Sequence, residues 1–364
     1  MILRKLTYSI FVILTILFSG CSDNSTNIIV LGDLHYDIME DHDMTWLSTK
    51  PDDVRQVGEY TEITSKYWQS FMEVLRKKAY SAESPASFMI QLGDLSEGLA
   101  GTPEKANQMA LHAMEAISNS KISVPWILVK GNHDITGPGA KEAFNEYYLP
   151  MIRKQTGNND ISSASYSYRS GNVHIFCLDT YDKSTDVIDF LDKELTGSHS
   201  SVKIVAVHEP IIPVTERCWH LFRNDPDKRE KLLEILAKNK AIVLCAHLHR
   251  YSVVKRNTDF GPIVQVMTIS VIRDSSYLTP DKLITEYGPS LVDSVSSWDP
   301  STADKRRQWL SDESKYVSYY KQTDLPGYSI FKIDPAGGNV TLEYYAAFGK
   351  DPYDIVNISM LMNK

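Results

Sequence analysis

The sequence lacks the features that would place it in several large classes. It has four cysteines in 364 residues, at positions 21, 177, 218 and 245. No pair has CxxC spacing, which argues against a cysteine-held zinc site. Cys177 and Cys245 lie in apolar runs and read as small buried hydrophobes, and nothing in the sequence assigns a role to Cys218. Basic charge is also short: 38 Lys and Arg against 46 Asp and Glu give a net charge of −8. That disfavours a nucleic-acid polymer as partner but leaves a small phosphorylated ligand open, because a local cationic site can sit on an acidic protein. There is no internal repeat and no low-complexity tract. Nor does any apolar run reach the roughly 20 residues that a membrane-spanning helix needs.

The apolar run that comes nearest, about Leu6 to Phe18, follows Arg4 and Lys5 and ends in Ser19-Gly20-Cys21. A charged start, a short apolar stretch and small residues before a cut are the parts of a secretory signal. The cysteine directly after Ser19-Gly20 resembles a bacterial lipoprotein box. That resemblance implies cleavage before Cys21, lipidation of Cys21 and attachment to a membrane of the bacterial cell envelope. The expected organisation is a signal peptide over 1–20, a tether over 21–27 and a single domain over 28–364.

Within that domain, short β-rich runs alternate with helical segments. The runs are Ile28–Leu31, Ser87–Leu92, Pro125–Lys130, Val173–Leu178, Lys203–Val207 and Ala241–Cys245. Helices are expected over Thr61–Tyr80, Pro103–Ser118, Ala140–Tyr148, Thr185–Leu195 and Asp227–Lys238. The alternation predicts an α/β fold. Pro262–Ser270, Tyr328–Ile333 and Val340–Phe348 read as further strands with no helices between them, which a second sheet packed on the first would accommodate. Asp37–Gly58 and about 271–326 show no clear strand and read as long loops, the latter a variable insertion; both are candidates for shaping specificity.

Five of the runs end in polar residues able to bind a metal. They lead into Gly32-Asp33-Leu34-His35, Gly93-Asp94, Gly131-Asn132-His133-Asp134, His208 and His247-Leu248-His249. Ligands of α/β sheets gather outside the carboxyl ends of strands, so these groups are expected to meet, with the glycines allowing sharp turns. Oxygen and imidazole donors without thiolate suit Mn, Fe or Zn, and the set is larger than one tetrahedral ion would use.

Together, Asp33-x-His35, Gly93-Asp94, Gly131-Asn132-His133-Asp134, His208 and His247-x-His249 resemble the calcineurin-like metallophosphoesterase superfamily. The resemblance implies two packed mixed β-sheets flanked by helices, a four-layer α/β/β/α sandwich. It implies two divalent or trivalent metal ions, the first held by Asp33, His35 and His249, the second by Asn132, His208 and His247, with Asp94 bridging. It further implies hydrolysis of a phosphomonoester or phosphodiester by a hydroxide shared between the metals. His133 would be the general acid, oriented by Glu97 or, as a rival, by Asp134. Ala246 stands where the family usually has glycine, which a negative φ would permit. Glu97, three residues after Asp94, replaces the tyrosine of the purple acid phosphatase branch.

Arg250, directly after His249, is the best candidate for a substrate phosphate among Arg217, Arg223 and Arg250. His112, His174 and His199 are given no role, and His42 and His220 are expected in solvated loops. The alternative to an enzyme is a metal-binding envelope lipoprotein without catalysis, and His133 is the residue that separates the two, because a pure binder needs no acid beside its metals.

Overall fold

A computed structural model describes residues 25–184, 186–271, 283–293 and 299–363. The signal peptide, Cys21 and parts of the expected insertion, Trp298 among them, lie outside the described residues.

Two mixed sheets face each other. The first has the order β13-β12-β11-β1-β2-β3, built from β1 (Thr26–Leu31), β2 (Phe88–Gln91), β3 (Trp126–Leu128), β11 (Gly327–Ile333), β12 (Val340–Ala346) and β13 (Asp354–Asn357). The second has the order β10-β8-β9-β7-β6-β5-β4, from β4 (Tyr166–Ser170), β5 (Val173–Leu178), β6 (Val202–Val207), β7 (Ile242–Cys245), β8 (Tyr251–Thr258), β9 (Gly261–Met267) and β10 (Val317–Thr323). The late strands therefore do not form a sheet of their own, as the sequence suggested. β11 returns to pair antiparallel with β1, Ile29 opposite Ile330, and completes the first sheet.

Both faces of the second sheet are covered, which is why its strands read as unbroken apolar runs. In β5, Val173, Ile175 and Cys177 point into the core shared with the first sheet, while Phe176 and Leu178 point to the outer helices; β6 and β7 alternate likewise. The helices Pro51–Ala79 and Pro103–Asn119 add Phe71, Leu75, Met109 and Ala113 to the core of the first sheet. The helices Val187–Thr196 and Pro226–Lys238 cover the outside of the second with Leu191, Leu195, Leu232 and Leu236.

Three expectations are corrected. The tether does not reach residue 27, because Thr26 and Asn27 already pair with Ile333 and Lys332. The loop expected over Asp37–Gly58 ends early: a helix starts at Pro51, whose ring suits a first turn, with Asp52 and Asp53 favourable at the positive end of the helix dipole. And 271–326 contains β10, an edge strand paired with β8. Among the described residues, no helix is long and apolar enough to cross a membrane.

Candidate metal centre

β1, β2 and β3 run parallel and in step, with Ile29 beside Met89 and Met89 beside Trp126, so their carboxyl ends lie level. β6 and β7 are parallel neighbours in the second sheet. All five polar termini open onto one seam between the sheets. The carboxylate of Asp33, from the first sheet, accepts the main-chain N–H of His247, from the second, at 2.9 and 3.1 Å. Of the glycines expected for sharp turns, Gly93 has positive φ (96°). Gly131 is needed for space instead: a Cβ there would lie 2.1 Å from Asp94 Oδ1. Ala246 has no positive φ, as its replacement of glycine requires.

The backbone is strained where the candidate ligands sit. Asp33, His35, Asp94, His247 and His249 all have φ between 44° and 74°. Each such residue costs on the order of 1–2 kcal/mol, and strain of this kind concentrates where function over-determines geometry. Cross-loop hydrogen bonds hold it, including His35 N–H to Asp94 O at 2.9 Å.

The side chains form two groups that share Asp94. Asp33, His35 and His249 bring ligand atoms within 4.8 Å of one another, as do Asp94, His208 and His247. Asp94 Oδ2 lies 3.0 Å from His208 Nε2 and 3.8 Å from His35 Nε2. Asn132 Oδ1 lies 3.2 Å from His208 Nε2 and joins the second group. His35 Nε2 and His249 Nε2 are 3.1 Å apart.

Second partners decide which nitrogens face inward. His208 Nδ1 donates to Leu92 O at 2.8 Å, and His35 Nδ1 donates to Glu97 Oε2 at 2.6 Å. Both histidines then turn a bare Nε2 lone pair inward. His208 Nε2 meets a carboxylate oxygen, an amide oxygen and His247 Nδ1, the last at 3.2 Å. Acceptors converging on acceptors in a buried place are repulsive unless a cation lies between them. The titration of the protein groups reflects the same deficit. Burial pushes Asp33 up to about 7 and His247 down to about 3. Burial alone would lower His208, but Asp94 and Asp33 drive it up to about 10, so in the protein alone a proton on Nε2 answers the same carboxylates that a cation would. The donor set fits two metal ions with O and N preference.

His133 belongs to neither of these groups, but with His35 and Glu97 it forms a third set whose ligand atoms also lie within 4.8 Å of one another. Its Nδ1 donates to the main-chain O of Glu97 at 2.6 Å, and its own N–H donates to Asp94 Oδ1 at 2.7 Å. Its ring is edge-on to His35, with centroids 4.7 Å apart.

Two role assignments change and a third, that of Glu97, is refined. Glu97 orients His133 with its main-chain carbonyl, while its carboxylate serves His35 and accepts Gln56 Nε2 at 2.7 Å. Asp134 does not orient His133: its carboxylate accepts the N–H groups of Gly131, Asp94, Leu95 and Ser96 at 2.8–3.2 Å, clamping two ligand loops together. Arg250 is engaged inside the protein, with Nη1 on His249 O at 2.9 Å and Nη2 3.7 Å from Glu216, so it braces the His247–His249 loop. His42 is buried, not solvated, and bonds Asp37 at 2.7 Å. Two aromatic walls carried no sequence signal: Tyr60 stacks on His35 with centroids 4.3 Å apart, and Trp219 lies 5.7 Å from His247. The 209–224 loop that carries Trp219 is backed by the insertion, through Tyr287 to Pro213 O and a Cys218 thiol to Arg306 O contact. Cys218 is thus buried in that joint.

Residues 26–251 match the model of a family described as calcineurin-like phosphoesterase. Purple acid phosphatase 15 of Arabidopsis thaliana is 26% identical over 141 residues, which are 37% of this chain and 26% of that protein. A purple acid phosphatase from yellow lupin (Lupinus luteus) seeds superposes with a TM-score of 0.52 at 13% identity, over 92% of this chain and 53% of the other. A dimetal phosphatase from Danio rerio gives 0.52 at 11% identity, over 92% and 98%.

Proposed function

The chain belongs to the calcineurin-like phosphoesterase family, and from that premise we propose that it is a hydrolase of small phosphoesters working with two metal ions. The observation that carries this is the Asp94 carboxylate, 3.0 Å from His208 and 3.8 Å from His35, between the two groups, with His133 beside it. Asp33, His35 and His249 would hold one ion, and Asn132, His208 and His247 the other, with Asp94 common to both. Ions bound there supply Lewis acidity toward phosphoryl oxygens and lower the pKa of water.

The chain's own residues do the rest. Glu97 and Leu92 fix the tautomers of His35 and His208, so each presents Nε2 inward. The Glu97 carbonyl keeps His133 protonated at Nδ1, leaving Nε2 to carry the proton that the leaving oxygen needs. The acidic net charge supports a small substrate over a nucleic-acid polymer. The Ser19-Gly20-Cys21 sequence supports a lipid anchor at Cys21 and a place in a bacterial envelope.

The test is hydrolysis of chromogenic phosphate mono- and diesters by the Mn-loaded protein, wild type against His133→Ala. The variant should keep its metals and lose about 10²–10⁴-fold in rate on a poor leaving group. Metal bound without turnover in the wild type would leave the non-catalytic binder instead.

A further inference from the structure

A sixth strand end opens beside the cluster. Leu178, the last residue of β5, pairs with Val207, so Asp179-Thr180-Tyr181 leave the sheet next to His208. The turn is pinned from both sides. Asp179 Oδ1 accepts the N–H of Tyr181 at 3.0 Å and of Asp182 at 3.2 Å. Its other oxygen takes the ammonium of Lys130, the residue that leads from β3 into Gly131-Asn132. The Tyr181 ring is thereby held with its centroid 6.4 Å from that of His208.

Its hydroxyl is buried and has no hydrogen-bond partner among the described residues, and the same is true of the neighbouring Thr180. An unpaired buried donor costs about 1–3 kcal/mol. Other buried tyrosines here avoid that cost: Tyr148, Tyr166, Tyr251, Tyr320 and Tyr344 each donate to a protein oxygen. Tyr328 is also unpaired but stacks on Tyr345 in the apolar core. Tyr181 differs in its place: its ring stands beside His208, one of the candidate ligands. A phosphoester anion bound beside His208 needs donors.

We propose that the Tyr181 hydroxyl is a substrate contact, donating a hydrogen bond to a phosphoryl oxygen of the anion bound at the cluster. This rests on the phosphoesterase reading above. A phenol suits the position, because it donates at neutral pH without adding a charge that must be desolvated.

The experiment compares the metal-loaded full chain with its Tyr181→Phe variant. It measures kcat/KM on p-nitrophenyl phosphate and its bis-ester, the Kd of inorganic phosphate by calorimetry, metal content and Tm. Loss of a hydrogen bond to a charged oxygen should lower kcat/KM and phosphate affinity about ten- to a hundredfold. Metal content should not change, and Tm should hold or rise, since an unpaired hydroxyl has been removed. Activity and phosphate affinity both within about twofold of wild type would overturn the proposal. So would a lower Tm, which would show the hydroxyl bonded inside the protein, or a loss of metal. If the wild type binds phosphate but turns nothing over, and the variant binds it more weakly, the hydrolase reading fails while this contact stands. Turnover that is equal in both proteins gives the reverse.

Discussion

His35 is held at both ring nitrogens, by Glu97 on one side and by the ligand group on the other. A carboxylate behind a ligating histidine fixes the tautomer and raises basicity. Glu97→Gln is therefore expected to weaken the Asp33–His35–His249 ion about 10–100-fold and to spare the other, read by metal titration. It should largely leave the His133 orientation intact, because the 2.6 Å hydrogen bond to the main-chain carbonyl is far closer than the carboxylate at 3.6 Å. Asp134→Ala acts differently. It strips the acceptor from four N–H groups, at roughly 1–3 kcal/mol for each one left dry. The expected result is a clearly lower Tm and joint loss of both metals. At this scale the sequence pointed to the candidate ligands that the fold brings together and was poor about their supports. A strand-end Asp or His can reach little beyond its own seam. Glu97, Asp134 and Arg250 each had several neighbours within reach, and only the folded loops decide among them.

Among the elements, the helix Ala303–Ser314 shows how the insertion is fastened. Glu313 is buried and receives Arg229 Nη2 at 2.8 Å and Arg256 Nε at 2.7 Å, tying that helix to β8 and to the helix Pro226–Lys238. Burial alone would raise the Glu313 carboxyl, but the two guanidiniums hold it below the ordinary range. A depressed carboxyl contributes stability above its unfolded value and loses it as pH falls through the folded one. Glu313→Ala should cost up to roughly 3 kcal/mol near neutrality, because Arg256 and Arg229 lose their buried carboxylate and keep Glu230 at 3.6 Å and Ile211 O at 3.2 Å. The Tm gap to wild type should close as pH drops below about 4.3; a gap constant down to pH ~3 would contradict the ion-pair account. Most buried strands of both sheets were legible from their apolar runs. The interior strand β8 was not, because Lys255, Arg256 and Asn257 interrupt its apolar run. Nor were β4, β10 and β13, because such edge strands carry polar residues such as Arg169, Lys321 and Asp354, which lack the signal of two-sided burial.

In the whole molecule, each ligand group draws on both sheets. Asp33 and His35 come from the first and His249 from the second; Asp94 and Asn132 face His208 and His247 in the same way. Ions bound there join the two layers, so removing them should loosen the seam and not merely stop chemistry. EDTA treatment is expected to lower Tm and to speed amide exchange in residues 32–36, 93–97 and 246–250 ahead of the β5–β6 core, with Mn restoring both. Binding that stabilises only the folded form contributes about 2.7 kcal/mol at a hundredfold excess over Kd. The packing of two sheets was readable in outline, but the pairing of β1 with β11 was not, since strands some 300 residues apart leave no local mark of their partnership.

That long-range pairing has a consequence for biosynthesis. While the ribosome is still making the middle of the chain, Asp33, His35, Asp94 and Asn132 already exist, but the histidines that complete either site have yet to be translated. Even after His249 emerges, the layer bearing the first ligands waits for β11 to β13. A metal met by the nascent chain would therefore find only half-sites, and the proposed centre would fill from whichever compartment the finished polypeptide folds in.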